Sequence, residues 1–178
     1  LNLSEEEFFS FLQSRQGILE GVCITGGEPL MRDLTDFIKR IRALGFAVKL
    51  DTNGAYPARL RALIDAKLLD YVAMDVKNAL AWYAETVGIP AFDTAPVAES
   101  ITLLKEKRVP FEFRTTVSRE LHPSERMEAL SELVSGAERY FIQNYNPQGD
   151  HIGAILTPYN EEELEAFLPL FASCVGEV

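Results

Sequence analysis

Cysteine, histidine and tryptophan are scarce in this chain: 178 residues hold two, two and one of them. The two cysteines, Cys23 and Cys174, have no CxxC spacing. They read as reduced, buried thiols of a cytosolic protein rather than a disulfide or a metal clasp. With so few thiols and imidazoles, no Ser-His-Asp or Cys-His arrangement offers a nucleophile. No apolar run approaches the roughly 20 residues of a membrane span. Positive charge is also in deficit. A net charge of −10 argues against a broad nucleic-acid surface. The first residues, Leu1 to Glu7, are acidic and run into an amphipathic pattern, unlike a signal peptide. The chain does not open on Met, which suggests a piece trimmed from something longer. Sequence repeats, low-complexity tracts and linkers are missing too, so residues 1–178 are expected to form one domain, cytoplasmic, with no membrane or nucleic-acid partner.

What is present is a globular composition, 47% hydrophobic and 25% charged, enough for a sizeable core. Ser4 and Glu7 fit a capping box. Phe8, Phe11 and Leu12 continue it as a helical stripe to about Gln16, which Gly17 stops. Strands are expected at Gly21–Thr25, Phe46–Leu50, Asp70–Met74, Pro110–Val117 and Arg139–Asn144. The helices between them are expected at Leu34–Leu44, Pro57–Lys67, Ala95–Lys107 and Pro123–Ser135, with a short one near Trp82–Val87. A loop over Tyr145–Thr157 precedes a last helix, Asn160–Cys174. This α(βα)₅ order calls for an α/β fold with a parallel sheet and right-handed crossovers.

Alternation within the strands says more. Side chains two apart share a face. Cys23 and Thr25 share one, as do Lys49 and Asp51; Ala73, Asp75 and Lys77; and Glu112, Arg114 and Thr116. The opposite faces carry Val22, Ile24, Val48, Leu50, Val72, Met74, Phe111, Phe113 and Val117, which should pack on helices. Charges on an inner face persist only if paired, hydrated or bound. A polar lumen holding a charged ligand is therefore expected. Three polar, glycine-bearing segments stand at strand-to-helix junctions, the working face of parallel α/β barrels. They are Thr25-Gly26-Gly27-Glu28-Pro29, Leu50-Asp51-Thr52-Asn53-Gly54 and Met74-Asp75-Val76-Lys77. Each alone is an ordinary turn or an exposed ion pair. In register they suggest one ligand site.

With Phe113-Arg114-Thr115-Thr116 added, this set resembles the radical S-adenosylmethionine (SAM) superfamily. Within it, the pattern is most similar to activating enzymes of glycyl-radical enzymes, of the anaerobic ribonucleotide reductase type, with pyruvate formate-lyase activating enzyme a near neighbour. The resemblance runs from about Leu3 to Gly149. It implies a partial (β/α)₆ TIM-like barrel with S-adenosylmethionine inside and a [4Fe–4S] cluster held by a CxxxCxxC loop after the first strand. This sequence has no such loop and five strands, so the first strand and the cluster loop are expected to be missing. Truncation is the favoured reason, natural loss in a degenerate paralogue the other. The polypeptide as written is expected to be unable to hold the cluster.

The resemblance also implies roles. Gly26, Gly27, Glu28 and Pro29 would bind the methionyl amino group. Asp51, Thr52 and Asp75 would surround a monovalent cation near the SAM carboxylate. Lys77 and Arg114 would face the carboxylate or ribose. Asn53 belongs to the same site, and Gln143 falls where the last strand approaches the nucleoside. His122 and His151 are expected to be surface or capping histidines and take no role. The intact protein would cleave SAM reductively and place a radical on a glycine Cα of a partner, anaerobic ribonucleotide reductase by subfamily, with a flavodoxin- or ferredoxin-type electron donor. Two other readings remain open: a non-catalytic SAM-binding or protein-interaction domain, and a barrel lyase using Lys77 as a Schiff-base lysine.

Overall fold

A computed structural model describes residues 3–148 and 154–178. His151 and part of the loop expected at 145–157 lie outside the described residues. The chain opens on helix α1 (Glu5–Gln13), where Ser4 Oγ accepts the Glu7 N–H and the Glu7 carboxylate accepts the Ser4 N–H. The helix ends three residues before the Gln16 expected of it. Its inward face is Phe9 and Leu12, whereas Phe11 is exposed. The partner helix decides this, because Phe37 meets both Phe8 and Phe9, and the Arg40 guanidinium lies 3.8 Å over the Phe9 ring.

Five strands follow: β1 (Gly21–Ile24), β2 (Ala47–Thr52), β3 (Tyr71–Asp75), β4 (Phe111–Val117) and β5 (Tyr140–Asn144). All pair in parallel, in the order of the sequence. The sheet does not close, since β1 and β5 are its two edges. The crossovers are α2 (Thr35–Ala43), α3 (Pro57–Asp65), the pair α4 (Tyr83–Val87) and α5 (Ala95–Lys105), and α6 (Ser124–Val134). Short 3₁₀ turns at Pro29–Met31 and Leu80–Trp82 lead out of β1 and into α4.

The core lies between the sheet and these helices. Val48, Leu50, Val72, Met74, Phe111 and Phe113 are fully buried on one face. Ile38, Ile41, Leu60, Ile101, Met127 and Leu130 cover them. Each such side chain contributes about 1.5–3 kcal/mol of burial, which fixes the strand register and so the direction of the other face.

The last expected helix is two: α7 (Glu161–Glu165) and α8 (Leu168–Ala172). Pro169 cannot donate to a carbonyl one turn back, so it starts a new helix instead of continuing the old one. Asn160 and Glu163 cap α7 reciprocally. Neither cysteine is the buried thiol expected. Cys23 is exposed on the open edge strand and Cys174 is half-buried. His122 is neither a surface nor a helix-capping group; it is 1% exposed.

Candidate functional site

The polar faces of β1 to β4 converge, as the alternation requires. Arg114 stands directly across from Asp75 in the β3–β4 register. Its Nε lies 2.9 Å from Asp75 Oδ1, and its Nη1 and Nη2 both lie 3.3 Å from Asp51 Oδ2. One guanidinium therefore joins acids from β2 and β3. Burial works against the Arg114 charge, but Asp75 and Asp51 outweigh it and hold its pKa above the ordinary value. Lys77 Nζ reaches the other Asp75 oxygen at 3.1 Å. Both members of that pair are more than a third or about a third exposed, so it adds little to stability.

A second polar layer closes the interior nearer the N-terminal ends of the strands. Lys49 Nζ lies 3.5 Å from both Asp51 Oδ1 and Glu112 Oε1. Tyr71 Oη donates to Glu112 Oε2 at 2.9 Å, and Arg139 Nη1 donates to Tyr71 Oη at 3.4 Å. Burial is the larger cause of a raised Tyr71 pKa. Cys23 faces Asp51 from the edge strand, and burial, then that carboxylate, push its thiol up as well. A thiol held protonated is a poor ligand or nucleophile.

The turn after β1 is fastened to the turn after β2. Glu28 Oε1 accepts from the Leu30 N–H at 3.0 Å and from Thr52 Oγ1 at 2.9 Å, while Oε2 accepts the Asn53 N–H at 2.7 Å. Gly54 then passes over Met74 with φ +78, where a Cβ would lie 2.1 Å from the Met74 methyl. Any other residue would have to displace that methyl and hold a positive φ, so glycine is favoured there. Ser100 Oγ holds the same turn by donating to the Gly54 carbonyl at 2.7 Å.

A cavity of about 110 Å³ opens above this network, lined by Thr25, Gly26, Gly27, Asp51, Thr52, Asn53, Asp75, Lys77 and Arg114. The ends of β1, β2 and β3 thus meet the middle of β4, and eight of the residues expected at a site or its glycine turn lie together with Thr25. Glu28 and Pro29 stand behind the lining: Glu28 spends its carboxylate on the chain, and Pro29 opens the 3₁₀ turn. Gln143 lies on the same sheet face one strand further on, accepting from Thr116 Oγ1 at 3.4 Å, outside the cavity wall. A larger cavity, about 430 Å³, lies between α6 and α7, but gathers no convergent charges; of its glutamates, Glu163 is already paired with Arg119.

Sequence reasoning missed the residues that hold Lys77. Its N–H donates to Tyr83 Oη at 3.3 Å and its carbonyl lies 2.9 Å from His122 Nε2. Asn78 is fully buried, its amide shared among Thr86, the Leu121 carbonyl and the Ala79 N–H. Most of these partners are backbone groups or lie far along the chain, and no spacing announces them.

The residues present fit the methionyl end of S-adenosylmethionine. A Cβ built on Gly26 or Gly27 would meet no atom within 4 Å, so the space beside both is open. The turn offers carbonyls to an ammonium group, and Lys77 offers a cation to a carboxylate. The volume suits an amino-acid head group rather than a whole nucleoside. An iron–sulfur cluster does not fit these residues. It needs several thiolates, the sequence has two cysteines, and among the described residues no group of three His, Cys, Asp or Glu side chains is placed to hold a metal ion.

The profile of the Radical SAM superfamily matches residues 3–133. A Methanocaldococcus jannaschii protein named as a glycyl-radical enzyme activating enzyme is 35% identical over 134 residues, 72% of this chain and 56% of that protein. The 7-carboxy-7-deazaguanine synthase of Thermococcus kodakarensis is 29% identical over 146 residues, 80% of this chain and 55% of that one. The chain thus spans about half the length of the curated relatives it matches. A domain of pyruvate-formate lyase-activating enzyme from Bacteroides vulgatus shares the fold, with a TM-score of 0.70 and 16% identity over 90% of this chain and 99% of that one. On the profile match, which covers most of its length, the chain belongs to the radical SAM superfamily.

Proposed function

We propose that this chain is the S-adenosylmethionine-binding part of an enzyme that activates a glycyl-radical enzyme. The observation that carries the reading is the single cavity formed by the ends of β1, β2 and β3 with Arg114 of β4. The 35% likeness to a protein named as a glycyl-radical enzyme activating enzyme favours this over other chemistries of the superfamily. The partner by this reading is anaerobic ribonucleotide reductase, the electron donor a flavodoxin or ferredoxin, and the compartment the cytoplasm.

Each residue then has a task. The Gly26–Gly27 backbone takes the methionyl ammonium, free of any side chain that would hold it off. Lys77 meets the carboxylate. Asp51, Thr52 and Asp75 supply oxygens to a monovalent cation beside it, sharing both acids with Arg114. Arg114 itself acts on the acids, not on the ligand: it keeps two like charges facing one cavity without mutual repulsion. Asn53 and Gln143 lie toward the nucleoside. The chemistry implied by the family is reductive cleavage of the sulfonium and hydrogen removal from a glycine Cα. The protein side contributes orientation and exclusion of water. The thiolates for a cluster would come from outside these 178 residues.

The test uses the full-length protein, reconstituted with iron and sulfide and reduced anaerobically. It is expected to release 5′-deoxyadenosine from S-adenosylmethionine and to raise a glycyl-radical doublet in the electron paramagnetic resonance spectrum of anaerobic ribonucleotide reductase. Release of 5′-deoxyadenosine with no protein radical would move the reading to another radical SAM chemistry. No release above background would end it.

A further inference from the structure

Lys77 stands two residues beyond the end of β3, where the sheet no longer holds the backbone. A lysine on such a segment, with a flexible stem, would spread its ammonium over a wide volume unless its Cα were pinned. The chain before it is pinned by β4: the Val76 N–H donates to the Arg114 carbonyl at 2.8 Å, and Thr115 Oγ1 donates to the Val76 carbonyl at 2.6 Å. The lysine's own amide is pinned by two side chains from elsewhere. Tyr83 Oη takes the N–H, and the His122 ring meets the carbonyl at 2.9 Å.

The ring can meet that carbonyl in one way. The Ser118 N–H donates to His122 Nδ1 at 3.2 Å, so Nδ1 carries no proton. The proton is on Nε2, and Nε2–H donates to the Lys77 carbonyl. The His122 carbonyl in turn accepts from Tyr159 Oη at 2.6 Å, and the ring is 1% exposed. Burial, assisted by the nearby Arg126 charge, lowers its pKa and keeps it neutral. An apolar side chain could fill the same hole, but it would leave the part-buried Lys77 carbonyl without that donor.

We propose that His122 is a positioning residue for Lys77, holding the lysine's carbonyl so that its ammonium stays at the mouth of the cavity beside Asp75. For what Lys77 touches, this rests on the S-adenosylmethionine reading; for the placement of Lys77 it stands on the hydrogen bonds alone. The bland role is that His122 merely stitches the turn between β4 and α6 through Ser118. Two substitutions separate these. His122→Gln keeps a donor near the place of Nε2, and so the Lys77 bond, while giving up Ser118. His122→Asn keeps an acceptor near the place of Nδ1, and so the Ser118 bond, while giving up Lys77.

Both variants are made in the full-length, iron–sulfur-reconstituted protein. Two readouts are taken: the dissociation constant for S-adenosylmethionine, and the ¹⁵Nζ resonance of Lys77 without ligand. The expected result is about tenfold weaker binding in His122→Asn, the size of one buried hydrogen bond. His122→Gln should stay near wild type, and the Lys77 resonance should move in His122→Asn alone. Equal behaviour of the two variants in both readouts would overturn the proposal. Failure of the wild type to bind would end the S-adenosylmethionine reading and leave the Lys77 resonance to decide the role of His122. If either variant does not fold, imidazole ¹⁵N shifts of the wild type decide instead. A proton on Nε2 with Nδ1 bare between pH 6 and 8 supports the proposal, and the opposite tautomer overturns it.

Discussion

Glu28 Oε2 accepts the Asn53 N–H at 2.7 Å, so one carboxylate fastens the turn after β1 to the turn after β2. Its other oxygen serves Leu30 and Thr52. Glu28→Ala strands these donors and is expected to cost about 2 kcal/mol, the range for hydrogen bonds to a charged group. Glu28→Gln, which sets an N–H against one of the donors, should cost part of that. Urea denaturation measures both. An Ala variant as stable as the wild type would mean that the two turns hold themselves.

Arg114 stands between Asp51 and Asp75. Arg114→Met removes the shared cation and leaves two acids facing each other. The expected loss is about 1–3 kcal/mol at pH 7, below the figure for a fully buried pair because water reaches the site. Asp51→Asn added to Arg114→Met should recover much of the loss, a coupling that a double-mutant cycle reads directly. Strict additivity of the two changes would contradict the shared-cation geometry.

The Lys77–Asp75 pair should matter to binding and hardly to folding. Lys77→Ala is expected to change stability by less than about 1 kcal/mol, whereas Asp75→Ala also strips Arg114 of a partner and should cost about 1–3 kcal/mol. Each should weaken S-adenosylmethionine binding by about tenfold, the loss of one charged contact. Calorimetric titration of the full-length protein checks this. Unchanged affinity in both variants would remove the pair from the site.

A methyl group on Gly54 would have to displace the buried end of Met74. Gly54→Ala meets the Met74 side chain and keeps a positive φ that a Cβ disfavours. A loss of about 2–4 kcal/mol is expected. Shortening the obstacle by Met74→Ala in the same chain should relieve the clash but leave the backbone strain. A thermally unaffected Gly54→Ala would show that the β2 turn shifts freely.

His122 gives stability a pH dependence of known sign. Its pKa is lowered in the folded protein, while the unfolded chain titrates near 6.5. Stability from this group is complete above about pH 6.5 and falls as pH drops through the lowered folded value, by at most about 1.4 kcal/mol per pH unit. The ring meets the Lys77 carbonyl and the Ser118 N–H, with the Arg126 charge nearby, while Tyr159 bonds the His122 backbone carbonyl. The carboxylates held low, such as Glu7, Asp33, Glu120 and Glu163, act at lower pH. The melting temperature should therefore decline as pH falls below about 6.5 in the wild type and less in His122→Gln. Parallel curves would contradict a buried, neutral ring.

Much of this was legible in the chain itself. Lys49 and Asp51, or Glu112 and Arg114, alternate with apolar residues, and period-two alternation has one reading once the apolar set has helices to pack on. The five strands and their parallel order followed from that. Local ambiguity caused the misses at the ends. Phe8, Phe9, Phe11 and Leu12 crowd one turn and a half, and only the position of Phe37 decides which of them turn inward. Pro169 was a stop signal inside an otherwise helical pattern. The clamp on Lys77 left no local trace, because His122 lies 45 residues away and bonds to a carbonyl, which every residue has.

Lys49, Lys77 and Arg114 stand against Asp51, Asp75 and Glu112 along the inner wall. Opposite signs are evenly matched there and set side by side. A phosphate or sulfate entering this space meets acids as readily as bases, and a bare polyamine suffers the reverse. A guest that carries both signs on one short backbone finds each at its own end. The wall thereby sorts by dipole rather than by net charge, although the protein around it is strongly anionic.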